Sequence, residues 1–172
     1  MSGKYAMVLP LLFLGGCSFL DPTRATVDFN ALSSDMTEAQ VMAANPHLSW
    51  KCDEDKQNNH LFGQRVCDGV PNSINDAPAS RIDYMFRDGH LSAVLAEYPP
   101  DSYLTMRAGM ESRLGKSTDG TPRTPVSFGT DQLTTWHTKG GLVMTSRTAK
   151  NGQGNVIVAW ISNREMNRWS GG

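Results

Sequence analysis

An Asp-Gly pair between two apolar stretches places the strongest limit on the fold of this chain. Apolar side chains occupy positions 82, 84 and 86, Asp88-Gly89 follows, and an apolar run resumes from Leu91 to Tyr98. Both residues of such a pair tolerate the positive φ angles that a tight hairpin turn requires. The pattern therefore predicts a β-hairpin over residues 82–98, ended by Pro99-Pro100, and hence an antiparallel sheet.

Two short helices are expected on either side of this hairpin. Thr37 and Gln40 have the spacing of a capping box, and Asn45-Pro46 ends the first helix. A second helix is predicted to begin at Asp101 or Ser102 and to stop at Gly115. Its apolar stripe recurs every three or four residues, which is typical of a helix with one buried face, at Tyr103, Met106, Met110 and Leu114.

The remaining chain predicts an α+β fold. Residues 116–131 are rich in Thr, Gly and Pro and indicate an irregular loop, whereas 133–138, 142–147 and 156–162 indicate three strands. The expected architecture is an antiparallel sheet of about five strands with two short helices packed on one face. Its apolar side is expected to contain Tyr84, Phe86, Trp136 and Trp160. A helix followed by strands occurs twice, near 36–98 and 101–162, although few residues match between the halves.

The amino terminus has the pattern of an export signal. Residues 1–16 contain one lysine, Lys4, then an apolar stretch from Ala6 to Leu14 and two glycines. That stretch is far shorter than the roughly 20 residues that a membrane-spanning helix needs. The next residue is Cys17, and Leu14-Gly15-Gly16-Cys17 resembles the lipobox of bacterial lipoproteins. An ordinary secretory signal with a chance cysteine is the alternative.

The lipobox resemblance implies a domain organisation and a location. It implies lipid on the Cys17 thiol, cleavage before Cys17 and acylation of the new amine, with palmitate among the expected acyl groups. Ser18 after the cysteine favours the outer membrane. We therefore expect a signal peptide at 1–16, a lipidated tether at 17–31, a periplasmic α+β domain at 32–163 and a C-terminal tail at 164–172. The expected partners are the membrane, through this lipid, and other envelope proteins on its periplasmic face.

The other two cysteines, Cys52 and Cys67, are predicted to form a disulfide. An even pair in an exported chain usually pairs, and the intervening residues are mostly polar. Closing a loop of this size removes ~3 kcal/mol of unfolded-state entropy. A metal site would need further ligands, and His60, Asp53 and Asp55 are the candidates nearby; two cysteines alone do not make a zinc site.

The sequence does not predict an enzyme or a nucleic-acid-binding protein. The formal net charge is -1 and no basic run is present, whereas nucleic acid requires a basic surface. No Gly-x-Ser-x-Gly elbow occurs, and none of the four histidines has a second histidine at helical metal spacing. The stretch from Asp53 begins like a calcium loop but has Asn58 where glycine is required. No metal or cofactor is therefore expected.

The first predicted helix carries a further family resemblance. Met36-Thr37-Glu38-Ala39-Gln40-Val41, followed by Asn45-Pro46, resembles the first helix of the small lipoproteins of the outer-membrane β-barrel assembly machinery (BamE/SmpA-like). That resemblance implies a helix followed by an antiparallel sheet, a plan that β-lactamase inhibitor proteins share. The expected anchor, the small disulfide-bonded α+β domain and the lack of catalytic motifs favour a non-enzymatic binding or scaffold subunit. The alternatives are an inhibitor of an envelope-directed hydrolase, an accessory lipoprotein of a secretion system, and an enzyme whose site is assembled from dispersed residues.

Overall fold

The computed structural model describes residues 23–54, 62–120, 133–146 and 154–170. The helices are α1 Glu38–Ala43, α2 Tyr103–Leu114 and α3 Asn163–Ser170, and a 3₁₀ turn at Pro100–Ser102 leads into α2. The strands are β1 Arg24–Ala25, β2 Lys51–Glu54, β3 Arg65–Gly69, β4 Ser73–Ile74, β5 Ala77–Pro78, β6 Arg81–Arg87, β7 His90–Tyr98, β8 Thr118–Gly120, β9 Leu133–His137, β10 Gly141–Ser146 and β11 Val156–Ser162.

Eight of these strands form one antiparallel sheet in the order β2-β3-β6-β7-β11-β10-β9-β8. The order has an internal symmetry, because α1 is followed by β2, β3, β6 and β7, and α2 by β8 to β11. The two halves meet where β7 pairs with β11, from Tyr98↔Val156 to Ala93↔Ile161. The order of a helix followed by strands therefore does occur twice, as the sequence indicated.

The predicted mixture of helices and antiparallel strands is confirmed, but the prediction of one sheet with about five strands is wrong. The described residues contain eleven strands in two sheets, since β1, β4 and β5 form a second small sheet. The strands β2 and β3 lie at one edge of the large sheet and include both ends of the mostly polar stretch between Cys52 and Cys67. Edge strands with one solvated face lack the apolar run that identifies a buried strand.

The helix-bearing face of the large sheet contains the main core. One row of directly opposite residues crosses seven strands on this face, namely Cys52, Cys67, Tyr84, Val94, Trp160, Val143 and Trp136. Both tryptophans are 0–2% exposed, and Phe86 packs in the same cluster as Val41 of α1 and Met106 of α2. The prediction that these aromatic residues fill the helix-bearing side is confirmed.

The predicted tips and caps of these elements also form. Asp88 and Gly89 both have positive φ, 54° and 76°, at the turn between β6 and β7. Thr37 and Gln40 make the reciprocal hydrogen bonds of a capping box at the start of α1. At the end of α2, Gly115 has a φ of 85°. In each case a local sequence signal and the tertiary structure agree.

Residues 24–32, here called the strap, lie between the two halves on the helix-bearing face. Ala25, Val27, Phe29 and Leu32 are all buried in the main core. Two asparagine side chains hold the strap: the Asn45 amide bonds both backbone groups of Thr26, and the Asn75 amide bonds both backbone groups of Val27. The structure thus places most of the segment predicted to be a tether, 17–31, inside the fold from residue 24 onward.

The opposite face of the sheet carries α3, within the range predicted to be a C-terminal tail. Glu165 is 2% exposed and accepts two hydrogen bonds from the Arg87 guanidinium, at 3.0 Å each. Trp169 contacts Phe62 with tilted rings, whose centroids are 5.4 Å apart. The expectation of two helices on a single face therefore needs correction, because a third helix packs on the other face. It was missed because residues 164–170 contain only two large apolar side chains.

The turn at Asn75-Asp76 connects β4 to β5, and both residues have positive φ, 52° and 71°. We expect Asn75→Ala to lower the free energy of unfolding by about 2–3 kcal/mol, because it removes the two bonds to Val27 and strains the turn. Asn75→Gly keeps the φ freedom and loses the bonds only, so its loss should be about 1–2 kcal/mol. Urea denaturation measures both. Wild-type stability in both variants would show that the bonds from Asn75 do not hold the strap.

Candidate binding groove along the second helix

The structure describes two of the three cysteines in the sequence. Cys17 lies outside the described residues. Cys52 and Cys67 are directly opposite each other on β2 and β3, and their sulfur atoms are bonded at 2.07 Å. The predicted disulfide is therefore present, and it joins the two strands of a hairpin whose connecting residues 55–61 are not described. Gly69 and Trp50 pack closely at the other end of the same strand pair.

The disulfide has an ion pair beside it. Glu38 of α1 accepts two hydrogen bonds from the Arg65 guanidinium, at 2.8 and 3.3 Å. Glu38, Cys52 and Cys67 could bring ligand atoms within 4.8 Å of one another. In the oxidised protein, however, each sulfur is bonded to the other and Arg65 holds the carboxylate. This arrangement links α1 to the sheet and leaves no thiolate for a metal ion.

The structure describes only Asp53 among the other candidate ligands near the disulfide. His60 and Asp55 lie outside the described residues, and Asp53 is exposed on β2. His47 and His137 are both exposed, and they lie 90 positions apart in the sequence. The Nδ1 atom of His90 lies 2.8 Å from the backbone oxygen of Asp88. His90 directly follows the Asp88-Gly89 turn, and this position brings its ring close to the backbone oxygen of Asp88.

A surface groove follows α2 on the helix-bearing face. Its first part is a cavity of ≈ 240 Å³ between α2 and the turn that joins β4 to β5. Tyr98 contributes to the floor, Met106 and Met110 form one wall, and Gly109 leaves the wall open because no atom lies within 4 Å of the position its Cβ would take. The cavity is open to the surface and mainly apolar inside.

The second part is a cavity of ≈ 400 Å³ between the end of α2 and the strap. Val27 and Phe29 of the strap face Met110 and Leu114 of α2 across it. Met110 and Arg113 line both cavities, so the two parts adjoin. The groove as a whole is therefore bounded by α2, the strap and the turn at residues 75–76.

Charged side chains stand at the rim of the groove. Asp76 forms ion pairs with Arg24 of the strap and with Arg113 of α2, the latter at 3.5 Å. All three side chains are 43–62% exposed, so water and salt screen these pairs and they add little to stability. Asn30 also donates to the backbone oxygen of Arg113 at 3.2 Å. The rim is thus polar and adjustable, while the walls are apolar.

The titratable groups at the groove do not form a catalytic set. Burial raises the pKa of Tyr98, so its phenol stays protonated at neutral pH. Asp83 has a raised pKa because burial disfavours its charge, and a hydrogen bond from Arg81 at 2.7 Å partly offsets this. Asp83, however, is on β6 opposite Asp68 and Leu95, on the other face of the sheet. The sheet therefore separates the carboxyl of Asp83, whose pKa is raised, from the groove.

A closed polar network joins the far side of α2 to β8. Arg107 donates to Glu111 at 3.1 Å and to Ser117 at 3.0 Å, and lies 3.3 Å from Asp119. Thr134 donates to Asp119 at 2.7 Å. Hydrogen bonds from Ser117 and then Arg107 lower the pKa of Glu111, and the bond from Thr134 lowers that of Asp119. The network fixes α2 on the edge of the sheet.

Comparisons with known proteins do not assign the chain to a family. No protein-family model matches the chain, and no curated protein or solved structure gives a match either. No helix among the residues that the structure describes is long and apolar enough to cross a membrane.

Sequence reasoning found the disulfide and missed the groove. The apolar stripe of α2 predicts that Met106 and Met110 are buried, as they are, but it does not predict that they also line a cavity. Gly109 inside a helix was a usable signal, because glycine there weakens a helix and often marks a close approach or an open site. Asn75-Asp76 was another, since two such residues together favour a tight turn. Neither signal could show that the strap forms the opposite wall.

The lowered pKa values of Glu111 and Asp119 give a pH dependence with a definite sign. Groups with lowered pKa stabilise the folded state above their ordinary pKa, and this stabilisation is lost as pH falls below about 4. We expect the double variant Glu111→Gln/Asp119→Asn to show a shallower loss of stability on acidification than wild type, measured as urea midpoints against pH. Asp101→Asn, an exposed carboxylate outside the network, is the control. Parallel curves for all three proteins would contradict the assignment.

Proposed function

We propose that the protein is a lipid-anchored envelope lipoprotein that acts as a non-enzymatic binding or scaffold subunit on the periplasmic face of the outer membrane. Its lipid would be attached to Cys17, and its partners would be other envelope proteins. The observation that carries this proposal is the use of the three cysteines. Two are joined across β2 and β3, and the third directly follows the pattern of a lipoprotein signal.

The disulfide supports an oxidising compartment. Disulfides form and persist outside the cytosol, where the reducing systems of the cell do not act on them. Cys67 is fully buried and its bonded partner lies directly opposite in the strand pair. The bond is therefore a structural part of the hairpin, which is the use expected of an exported domain.

The groove along α2 supports binding to a protein segment. Its walls include two methionines, whose flexible side chains adapt to different apolar partners, and its rim includes Arg113 and Asp76. A polar rim around an apolar centre is the usual organisation of a protein–protein contact. The groove lining shows no nucleophile paired with a base among the described residues, so the geometry favours recognition over chemistry.

The stapled hairpin of β2 and β3 favours a second candidate, an inhibitor of an envelope-directed hydrolase such as a lysozyme or a β-lactamase. The disulfide lies within the hairpin and holds its two strands together directly before residues 55–61. A strand pair that is joined by a covalent bond can enter an enzyme cleft with little loss of entropy on binding. Titration of the oxidised protein into lysozyme and β-lactamase assays separates this candidate from the first.

Acylation of Cys17 is the first test of the proposal. We expect metabolic labelling with a palmitate analogue to mark the wild-type protein, and Cys17→Ser to abolish the label and release the protein from the membrane fraction. Cys52→Ser/Cys67→Ser is the control, because it removes the other cysteines and should keep the label. Intact mass showing an uncleaved, unacylated first segment would refute lipid anchoring.

Binding through the groove is tested by filling it from Gly109. Gly109→Trp should place a large side chain in the groove without a backbone clash, since its Cβ position is open. Ala108→Trp is the matched control, because Ala108 is exposed on α2 and does not line either cavity. We expect cross-linking in envelopes to recover the same partner with wild type and the control, and to lose it with Gly109→Trp. Equal recovery of the partner with all three proteins would contradict binding at the groove.

A further inference from the structure

The strap leaves the fold at one particular end of the large sheet. Thr23, the first described residue, accepts a hydrogen bond from the backbone N–H of Asn72 at 2.6 Å, and its hydroxyl accepts another from the Asn72 side chain at 3.0 Å. Asn72 follows closely on Gly69, the last residue of β3. Gly69 lies opposite Ile82 near the start of β6, and Arg81 lies opposite Glu97 near the end of β7. We call this the exit end of the sheet.

The exit end is close to the lipid if Cys17 is acylated. Five residues lie between Cys17 and Thr23, so six residue steps join them, and an extended chain spans at most ~3.6 Å per step. The distance therefore cannot exceed about 22 Å. The length predicted from sequence would have allowed a much longer tether, ending at residue 31. Because the strap is part of the fold from residue 24, an anchor at Cys17 would keep the exit end within this distance of the leaflet.

Exposed apolar side chains are found at this same end. Among the described residues, the large hydrophobic side chains that remain exposed are Val70, at 71%, and Leu104, at 73%. Val70 directly follows the end of β3. Leu104 is in the first turn of α2, which begins five residues after Tyr98 ends β7. Both residues therefore lie near the end of the molecule where the strap leaves.

We propose that the exit end rests on the lipid leaflet that carries the anchor, with Val70 and Leu104 inserted at the boundary between headgroups and acyl chains. This inference rests on the proposed acylation of Cys17. Two apolar side chains would not hold a free protein on a membrane, but the anchor keeps them at high local concentration next to the lipid. The contact fixes the orientation of the domain and not its attachment.

The charges at the exit end indicate a contact that does not need anionic lipid. Arg24 is paired with Asp76, Lys51 lies opposite Asp68, and Arg81 lies opposite Glu97. Each of these three positive side chains thus has a negative neighbour, and the described residues form no basic patch at this end. We therefore expect the contact to persist at high salt, unlike the binding of a polybasic surface, which salt screens.

The test uses the full-length acylated protein, reconstituted into vesicles of phosphatidylethanolamine and phosphatidylglycerol. Single variants Val70→Cys and Leu104→Cys, with the native disulfide intact, are labelled with an environment-sensitive fluorophore. His137→Cys is the control, because His137 is exposed and ends β9 at the opposite end of the sheet. We expect several-fold brighter emission at 70 and 104, quenching by nitroxide lipids at low and high salt, and neither effect at 137.

The outcomes separate the inference from the proposed function. Protein that carries acyl mass and floats with the vesicles, but is equally unquenched at all three positions, overturns the membrane contact and leaves lipid anchoring intact. Quenching that disappears at high salt, or that is equal at 137, overturns the stated orientation or its hydrophobic basis. Protein without acyl mass that fails to float overturns the proposed anchor, and the orientation with it.

Discussion

The pairing of β7 with β11 is the contact on which the rest of the structure depends. These two strands are the last of their respective halves, and their side chains are almost all buried. If they did not pair, each half would be a four-stranded sheet with a long apolar edge, which is an aggregation hazard. The pairing joins residues about sixty positions apart in sequence. It can therefore form only after the second half is made, and long-range pairing of this kind is slow.

The strap completes what the central pairing begins. It lies between α1 and α2, where the two halves leave room on the helix-bearing face, and its apolar side chains enter the same core. Two asparagines hold it by bonding the backbone groups of the neighbouring residues Thr26 and Val27, in the manner of short strand pairs. One wall of the groove is the strap itself. The groove and the position of the exit end thus have the same structural cause.

Sequence reasoning succeeded where local chemistry decides the structure. The capping box at Thr37, the turn at Asp88-Gly89 and the stop at Gly115 form because a few neighbouring residues suffice to satisfy the backbone. It failed where burial comes from distant parts of the chain. The strap alternates apolar and polar residues from Ala25 to Phe29, but so short a pattern does not distinguish a strand from a linker.

The candidate site divides in the same way. The number of cysteines predicts the disulfide, and Cys52 and Cys67 are bonded in the structure. The groove could not be predicted, because it depends on which elements pack beside α2. The strap and the turn at Asn75 come from widely separated parts of the sequence, and only the folded sheet brings them to the same helix.

The buried strap also limits how the protein can be shortened for biochemical work. A secreted version that begins at residue 32, where the tether was expected to end, would lack three of the four core side chains of this segment. It would also leave the polar atoms of Asn45 and Asn75 without their backbone partners, inside a partly emptied core. A soluble version that keeps the native fold must instead start before Arg24, so that only the lipid and its few flanking residues are lost.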